Sequence, residues 1–208
     1  MTLKLQEYII QLKNDPVACV KNFLRAAPSV KQEEFLNSIS EYNHIIAIWS
    51  RQSGKSTIMS RTIVWKLFFG DGIINAMGQH VKETIYVLAP ILDQVKNLYN
   101  KINNVIESNP LLQKYIIHKS FDRIELVNGN QCFFRSASPG SHIRGPTATM
   151  IVIEESQDVS DEKYYGDILP FGATTNALTI EAGTPRTKNH FYQSTINATR
   201  SDSKIKLI

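Results

Sequence analysis

A chain of 208 residues with 42% hydrophobic side chains can bury one sizeable core, so a single α/β domain with a helical N-terminal extension is the economical reading. A formal net charge of +4 permits contact with DNA phosphates but lacks the dense basic stripe of a dedicated nucleic-acid binder. No apolar stretch approaches the ~20 residues of a membrane span and Met1–Gln6 lacks a secretory core, while Cys19 and Cys132, without metal-ligand spacing, read as small buried thiols of a cytosolic protein.

In chain order the pattern is helical first and alternating afterwards. Leu5, Ile9 and Leu12 form a helical stripe over residues 2–13, and Asp15 followed by Pro16 supplies a cap and first position for a second helix to about Leu24. A third helix is expected over Lys31–Ile39, a first strand over 44–49 and a helix from Ser56 to about Phe69. Residues 84–88 read as a second strand, followed by a long helix from Leu92 to Ile106 that Asn109-Pro110 ends. Arg123–Val127 and Gln131–Arg135 flank Asn128-Gly129, the signature of a β-hairpin with a type I′ turn. Strands at 149–154 and 177–182 complete the core, and Lys204–Ile208 alternates as a strand does. Strands alternating with helices predict a mostly parallel sheet covered on both faces, with ligands bound outside the strands' C-terminal ends.

Chemistry concentrates at three of those ends. The apolar run Ile45–Trp49 leads into Ser50-Arg51-Gln52-Ser53-Gly54-Lys55-Ser56-Thr57 and then a helical pattern, the setting of a phosphate-binding loop. A tight strand-to-helix turn aims successive N–H groups at one place, and the helix N-terminus adds roughly half a positive charge. Gly54 allows close approach, Lys55 can reach the β- and γ-phosphates, and Ser56 offers a hydroxyl to Mg²⁺. The general pattern has a glycine five residues before Gly54, where this chain has Trp49. Met150–Ile153 ends in Glu154-Glu155, two carboxylates that repel each other unless a cation and a polarisable water offset the cost. Glu154 then faces Mg²⁺ through its water shell and Glu155 orients the attacking water. The third end, after residues 177–182, carries Gly183-Thr184-Pro185.

These segments together resemble the N-terminal ATPase domain of the large terminase subunit of tailed bacteriophages, the motor that pumps DNA into a preformed capsid. Terminases often carry arginine in the loop and lack its first glycine, as this chain does; their Walker B usually reads aspartate then glutamate, where this chain has Glu154 then Glu155. Gln32 is similar to the family's adenine-recognising glutamine, Gln94 to the segment after the second strand, Ser141–Gly145 to the arginine-bearing stretch before Walker B, and Gly183-Thr184-Pro185 to the coupling motif. The resemblance spans about residues 30–195.

It implies a P-loop NTPase fold of the RecA-like type with a β-hairpin insertion, residues 1–42 forming a helical extension and 43–208 the core. ATP and Mg²⁺ are the implied cofactors. Double-stranded viral DNA, a ring of copies on the capsid portal and the small terminase subunit are the implied partners, in the cytoplasm of an infected host and without a membrane. The family's C-terminal nuclease is expected to be absent, as from an excised domain. In the implied mechanism Thr184 senses loss of the terminal phosphate. Arg144, in a segment rich in turn formers, enters the next subunit's site as an arginine finger, or stays solvated while Arg51 serves in cis.

Two other classes share parts of this pattern: a helicase-like P-loop fragment, which needs a second lobe, and a nucleotide-binding module that does not hydrolyse. The histidines show no metal spacing and read as surface or packing residues, with contact of His190 to DNA as the alternative. Asp158, Asp161 and Glu162 suit a solvated helix start, and Lys96, Lys101, Lys114 and Lys119 a solvated face.

Overall fold

A computed structural model of the chain describes residues 3–50 and 52–208. Three helical segments come first. α1 (Leu3–Asn14) is followed by α2 (Pro16–Ala18), which the Asp15 side chain caps by accepting the Ala18 N–H at 2.8 Å, and a π-helical turn continues it over Cys19–Phe23. α3 (Val30–Ser38) opens with a capping box in which Ser29 and Gln32 bond each other's backbone N–H. Then come β1 (His44–Ala47), α4 (Lys55–Phe69), a two-strand ribbon of β2 (Ile73–Ile74) and β3 (His80–Val81), β4 (Thr84–Ala89) and α5 (Leu92–Glu107). α6 (Pro110–Gln113), β5 (Ile116–Lys119), β6 (Arg123–Leu126), β7 (Gln131–Ser136) and β8 (Met150–Glu154) follow. The last part holds a 3₁₀ turn (Ser156–Asp158), α7 (Asp161–Lys163), a π-helical turn (Tyr164–Ile168), α8 (Leu169–Phe171), β9 (Leu178–Ala182), α9 (His190–Ala198) and β10 (Ile205–Leu207).

One eight-stranded sheet has the order β10-β1-β9-β8-β4-β7-β6-β5. From β10 to β7 every pairing is parallel, and β6 and β5 are added antiparallel at one edge. All residues of β4, β8 and β9 are buried, as the continuous apolar run Met150–Ile153 predicts for a strand covered on both faces, and in β9 this burial includes the polar Thr179 and Glu181. Alternation along β4 divides the core: Ile85, Val87 and Ala89 face the side covered by α3, α4 and α5, whereas Tyr86 and Leu88 meet Ile143, Val159, Tyr164 and Ile168 on the other. The N-terminal helices pack on α4 through Leu12, Cys19 and Trp65, whose indole N–H donates to the Leu12 carbonyl at 2.9 Å. Both cysteines are free and buried, and burial pushes the Cys19 thiol up to about 12, so it stays protonated.

The hairpin differs from expectation in two ways. It is not an insertion: β7 lies inside the main sheet beside β4, so the hairpin extends that sheet. Its turn is not type I′ either, because Gly129 takes a positive φ of 86° and Asn128 does not. Bonds from the Gly129 N–H to the Leu126 carbonyl and from the Leu126 N–H to the Asn130 carbonyl define a three-residue loop with a bulge. Asn130 makes the longer loop worthwhile, its buried amide donating to the Leu67 and Gly70 carbonyls at 2.9 and 3.0 Å and so fastening the end of α4. Among the described residues no helix is long and apolar enough to cross a membrane.

Candidate functional site

The strand that leads into the glycine loop and the one that ends in the paired carboxylates are separated by β9, whose own end carries Gly183-Thr184. The Gly183 N–H donates to the Ala47 carbonyl at 3.2 Å, so the ends of β1 and β9 meet. A cleft of about 370 Å³ opens there, lined by Ser50, Gln52, Ser53, Gly54, Lys55, Ser56 and Thr57 of the loop, by Glu154 and Glu155, and by Thr184. Sequence-predicted residues from all three strand ends thus share one space. Arg51 lies outside the described residues. Gly183 and Pro185 stand behind Thr184 and do not line the cleft.

Local geometry explains the loop. Gln52 and Gly54 take positive φ of 64° and 79°, which turns the chain from β1 into α4. A Cβ at Gly54 would meet the Gln32 side-chain nitrogen at 2.6 Å, so glycine serves both the turn and the close approach. Trp49, at the place of the usual glycine, is buried edge-to-face on Phe35 with Lys31 over its ring, and it braces the loop against α3.

The two carboxylates sit in different surroundings. Glu154 is 8% exposed, its Oε1 accepts the Ser56 hydroxyl at 2.8 Å, and its Oε2 is buried without a protein partner. Burial raises its pKa, against which Lys55, the Ser56 bond and Lys101 act, while Glu155 adds to the rise. Glu155 is half-buried and occupies the left-handed region at φ 52°, ψ 46°, a strained conformation for a residue with a side chain. Its Oε2 accepts the Gln157 amide at 2.7 Å. A hydroxyl beside a carboxylate whose second oxygen lacks a partner is a hard-oxygen donor set, and Mg²⁺, which keeps most of its water and takes few protein ligands, fits it.

Other predicted residues lie nearby or apart. Gln32 donates to the Gly54 carbonyl at 3.4 Å and faces a second cavity of about 170 Å³, shared with Ala26, Ala27, Pro28, Thr57, Ile58 and Arg61. Arg144 does not line its own chain's cleft; it is exposed on a loop that the fold holds firmly. Ile143 is buried beside it, the Tyr86 hydroxyl donates to the Pro146 carbonyl at 2.9 Å, and the Lys163 ammonium donates to the Ser141 carbonyl. Gly145 at φ 143° leaves no room for a Cβ, which would stand 2.3 Å from the Tyr86 oxygen.

Sequence reasoning missed four residues. Lys101, assigned to a solvated face, reaches the cleft from α5, and Arg186 lines it immediately after Pro185. Arg61 lines the second cavity with a buried Nε that has no partner. Gln157 bridges Glu155 and Thr184. Its position two residues past the carboxylates was the available signal; Lys101 and Arg61 carried none, because helix periodicity alone does not say what a face looks at. His190 is 1% exposed, stacked on Tyr164 at 4.0 Å and bonded to Ser156 at 3.1 Å, so packing, and not a DNA surface, accounts for it. Asp158 is exposed beside Gln157, and Asp161 and Glu162 are exposed in the first turn of α7, as a solvated helix start requires; Asp161 also accepts the His190 N–H at 2.6 Å.

The family model described as terminase large subunit, T4likevirus-type, N-terminal, matches residues 46–208. No curated protein matches the chain in sequence. Among solved structures, the large terminase ATPase domain of Thermus phage P74-26 is 18% identical with a TM-score of 0.75, covering 93% of this chain and 85% of that one. The large terminase of bacteriophage HK97 is 19% identical with a TM-score of 0.74, covering 94% and 43%. The large terminase of a thermophilic bacteriophage, solved in complex with ATP-γ-S, is 13% identical with a TM-score of 0.55, covering 95% and 43%. The chain therefore spans less than half the length of the latter two, and at these identities the likeness is one of fold.

Proposed function

The chain belongs to the T4likevirus-type terminase large subunit N-terminal family, and on that premise we propose that it is the ATPase unit of a viral DNA-packaging motor. The observation that carries this reading is the convergence of Lys55, Ser56, Glu154, Glu155 and Thr184 from three strand ends on one cleft, with one buried Glu154 oxygen left without a partner.

In this reading the N–H groups of Ser50 and Gln52–Thr57 and the Lys55 ammonium hold the β- and γ-phosphates at the α4 N-terminus. Gln32 and the cavity it shares with Arg61 take the adenine end. Ser56 and Glu154 would hold Mg²⁺, which when bound neutralises charge on the phosphates. Glu155, held by the Gln157 amide, orients the water that attacks the γ-phosphorus in line and takes up its proton. Lys101 and Arg186 add positive charge around the leaving phosphates. Thr184 registers departure of the γ-phosphate. Arg144, on its braced loop outside its own cleft, suits delivery to a neighbouring copy, which fits a ring on the capsid portal that moves double-stranded viral DNA with the small subunit in the host cytoplasm. The residues divide into a helical extension (1–42) and a P-loop core (43–208) of one ATPase unit.

The test is calorimetric and kinetic. ATP is expected to bind when magnesium is supplied. Glu155→Gln is expected to keep that affinity while hydrolysis falls about 10²- to 10⁴-fold, the usual worth of a general base. Absence of ATP binding by the unmutated chain refutes the function; unchanged hydrolysis in the variant refutes the role of Glu155.

A further inference from the structure

Glu155 is not free to rotate in the cleft. Its left-handed backbone folds the Ser156–Asp158 turn back on itself, so the side chain two residues on meets its own carboxylate. Gln157 is 3% exposed, and its amide is fully engaged: Nε2 donates to Glu155 Oε2 at 2.7 Å and to Asp158 Oδ2 at 3.1 Å, while Oε1 accepts the Thr184 N–H at 3.1 Å. The amide can sit only this way round, because a backbone N–H only donates and an ionised carboxylate only accepts. The same residue's backbone carbonyl accepts the Asn189 amide at 2.9 Å, and Asn189 is the N-cap of α9. Gly183 permits the approach, since a Cβ there would lie 2.0 Å from Gln157 Oε1.

Resting on the ATP-hydrolysis reading above, we propose that Gln157 is a positioning residue that aligns Glu155 for the attacking water and carries the state of the cleft through Thr184 and Asn189 to α9. One rigid amide joins the water-orienting carboxylate to the backbone of the segment beside the γ-phosphate. Displacement of the Thr184 backbone draws Gln157 with it and turns Glu155 out of line, so hydrolysis and movement of residues 183–198 are coupled by one side chain. Nothing in the family match or the likeness of fold assigns this role.

Two substitutions separate the halves of the link. Gln157→Glu keeps an acceptor for the Thr184 N–H and removes the donor to Glu155; Gly183→Ala puts a methyl between Gln157 and Thr184. ATP affinity, single-turnover hydrolysis and hydrogen exchange of residues 183–198 are compared with and without ATP-γ-S, and thermal melting confirms that each variant is folded. Gln157→Glu is expected to bind ATP within about threefold of the unmutated chain while turnover falls about 10²-fold, the cost of a misplaced catalytic group. Gly183→Ala is expected to lose the nucleotide-dependent change in exchange over 183–198. Unmutated turnover in Gln157→Glu, a loss of ATP affinity matching the loss of rate, or an intact exchange response in Gly183→Ala overturns the proposal. A parent chain that binds no ATP refutes instead the function on which it rests.

Discussion

Replacing Glu154 by glutamine is expected to stabilise the nucleotide-free protein and to weaken its response to nucleotide. In the structure Glu154 is nearly buried, with one oxygen on the Ser56 hydroxyl and the other without a partner. Burial raises its pKa above the ordinary 4.5, and Lys55, the Ser56 bond and Lys101 counter this only in part. A carboxyl raised in this way contributes most to stability below the ordinary value and loses that contribution as pH rises through its folded-state pKa. The nucleotide-free protein should therefore lose stability on the alkaline side of about pH 4.5, and Glu154→Gln should lack that component of the slope. The variant removes a charge that burial disfavours; with the desolvation penalty of such an under-paired group at about 1–3 kcal/mol, each kcal/mol moves the melting midpoint of a chain this size by about 2–4 °C. A midpoint higher by several degrees is expected for the variant at neutral pH in chelator. Ligand at about 100 times its Kd adds about 2.7 kcal/mol to the native state, so magnesium and ATP-γ-S should raise the parent chain by about 5–10 °C and the variant by much less. Scanning calorimetry at several pH values, with and without nucleotide, reads both effects. A variant that melts below the parent in chelator, or that nucleotide stabilises equally, refutes this account of Glu154.

Arg144→Ala should hydrolyse ATP poorly however concentrated, yet mixing it with Glu155→Gln should restore activity, because an intact Glu155 in one copy then meets an intact Arg144 from the next; a mixture no more active than its parts refutes delivery in trans. Glu181 is fully buried among His44, Tyr164, Ser156 and His190, and although burial pushes its pKa up, the bonds from His190, His44 and Ser156 bring it down to about 2. Its contribution is present above the ordinary 4.5 and is lost as pH falls through about 2, so Glu181→Gln should cost about 3–5 kcal/mol at neutral pH and flatten the acid limb; denaturant titrations showing the parent's acid limb in the variant contradict this.

Much of the fold was legible because its central strands are buried on both faces: Ile85–Ala89 and Met150–Ile153 are continuous apolar runs, and the paired carboxylates follow the second directly, whereas Leu178–Ala182 is interrupted by Thr179 and the buried Glu181. The added strands at the edge were less so. β5 alternates weakly around exposed Ile117 and His118, and nothing local says that β7 will pair with β4 instead of standing apart. The turn at Asn128-Gly129 was misread because Asn130, not the strand register, sets its length. At the site, residue types announced Lys55, Ser56 and the two glutamates, but not that one glutamate would be buried and the other held in a left-handed backbone. That division of labour, like the reach of Lys101 from α5, comes from the packed whole.

The three residues Asp161–Lys163 are anchored at both ends to parts of the molecule far apart in sequence: Asp161 takes the first N–H of α9, and Lys163 takes the carbonyl of Ser141 in the Arg144 loop. Such a strap ties the outward loop to the first turn of α9. In the ring proposed above, a push on the loop from an adjoining copy reaches α9 by a route that bypasses the nucleotide, so load and fuel would be sensed independently and their signals added at one helix.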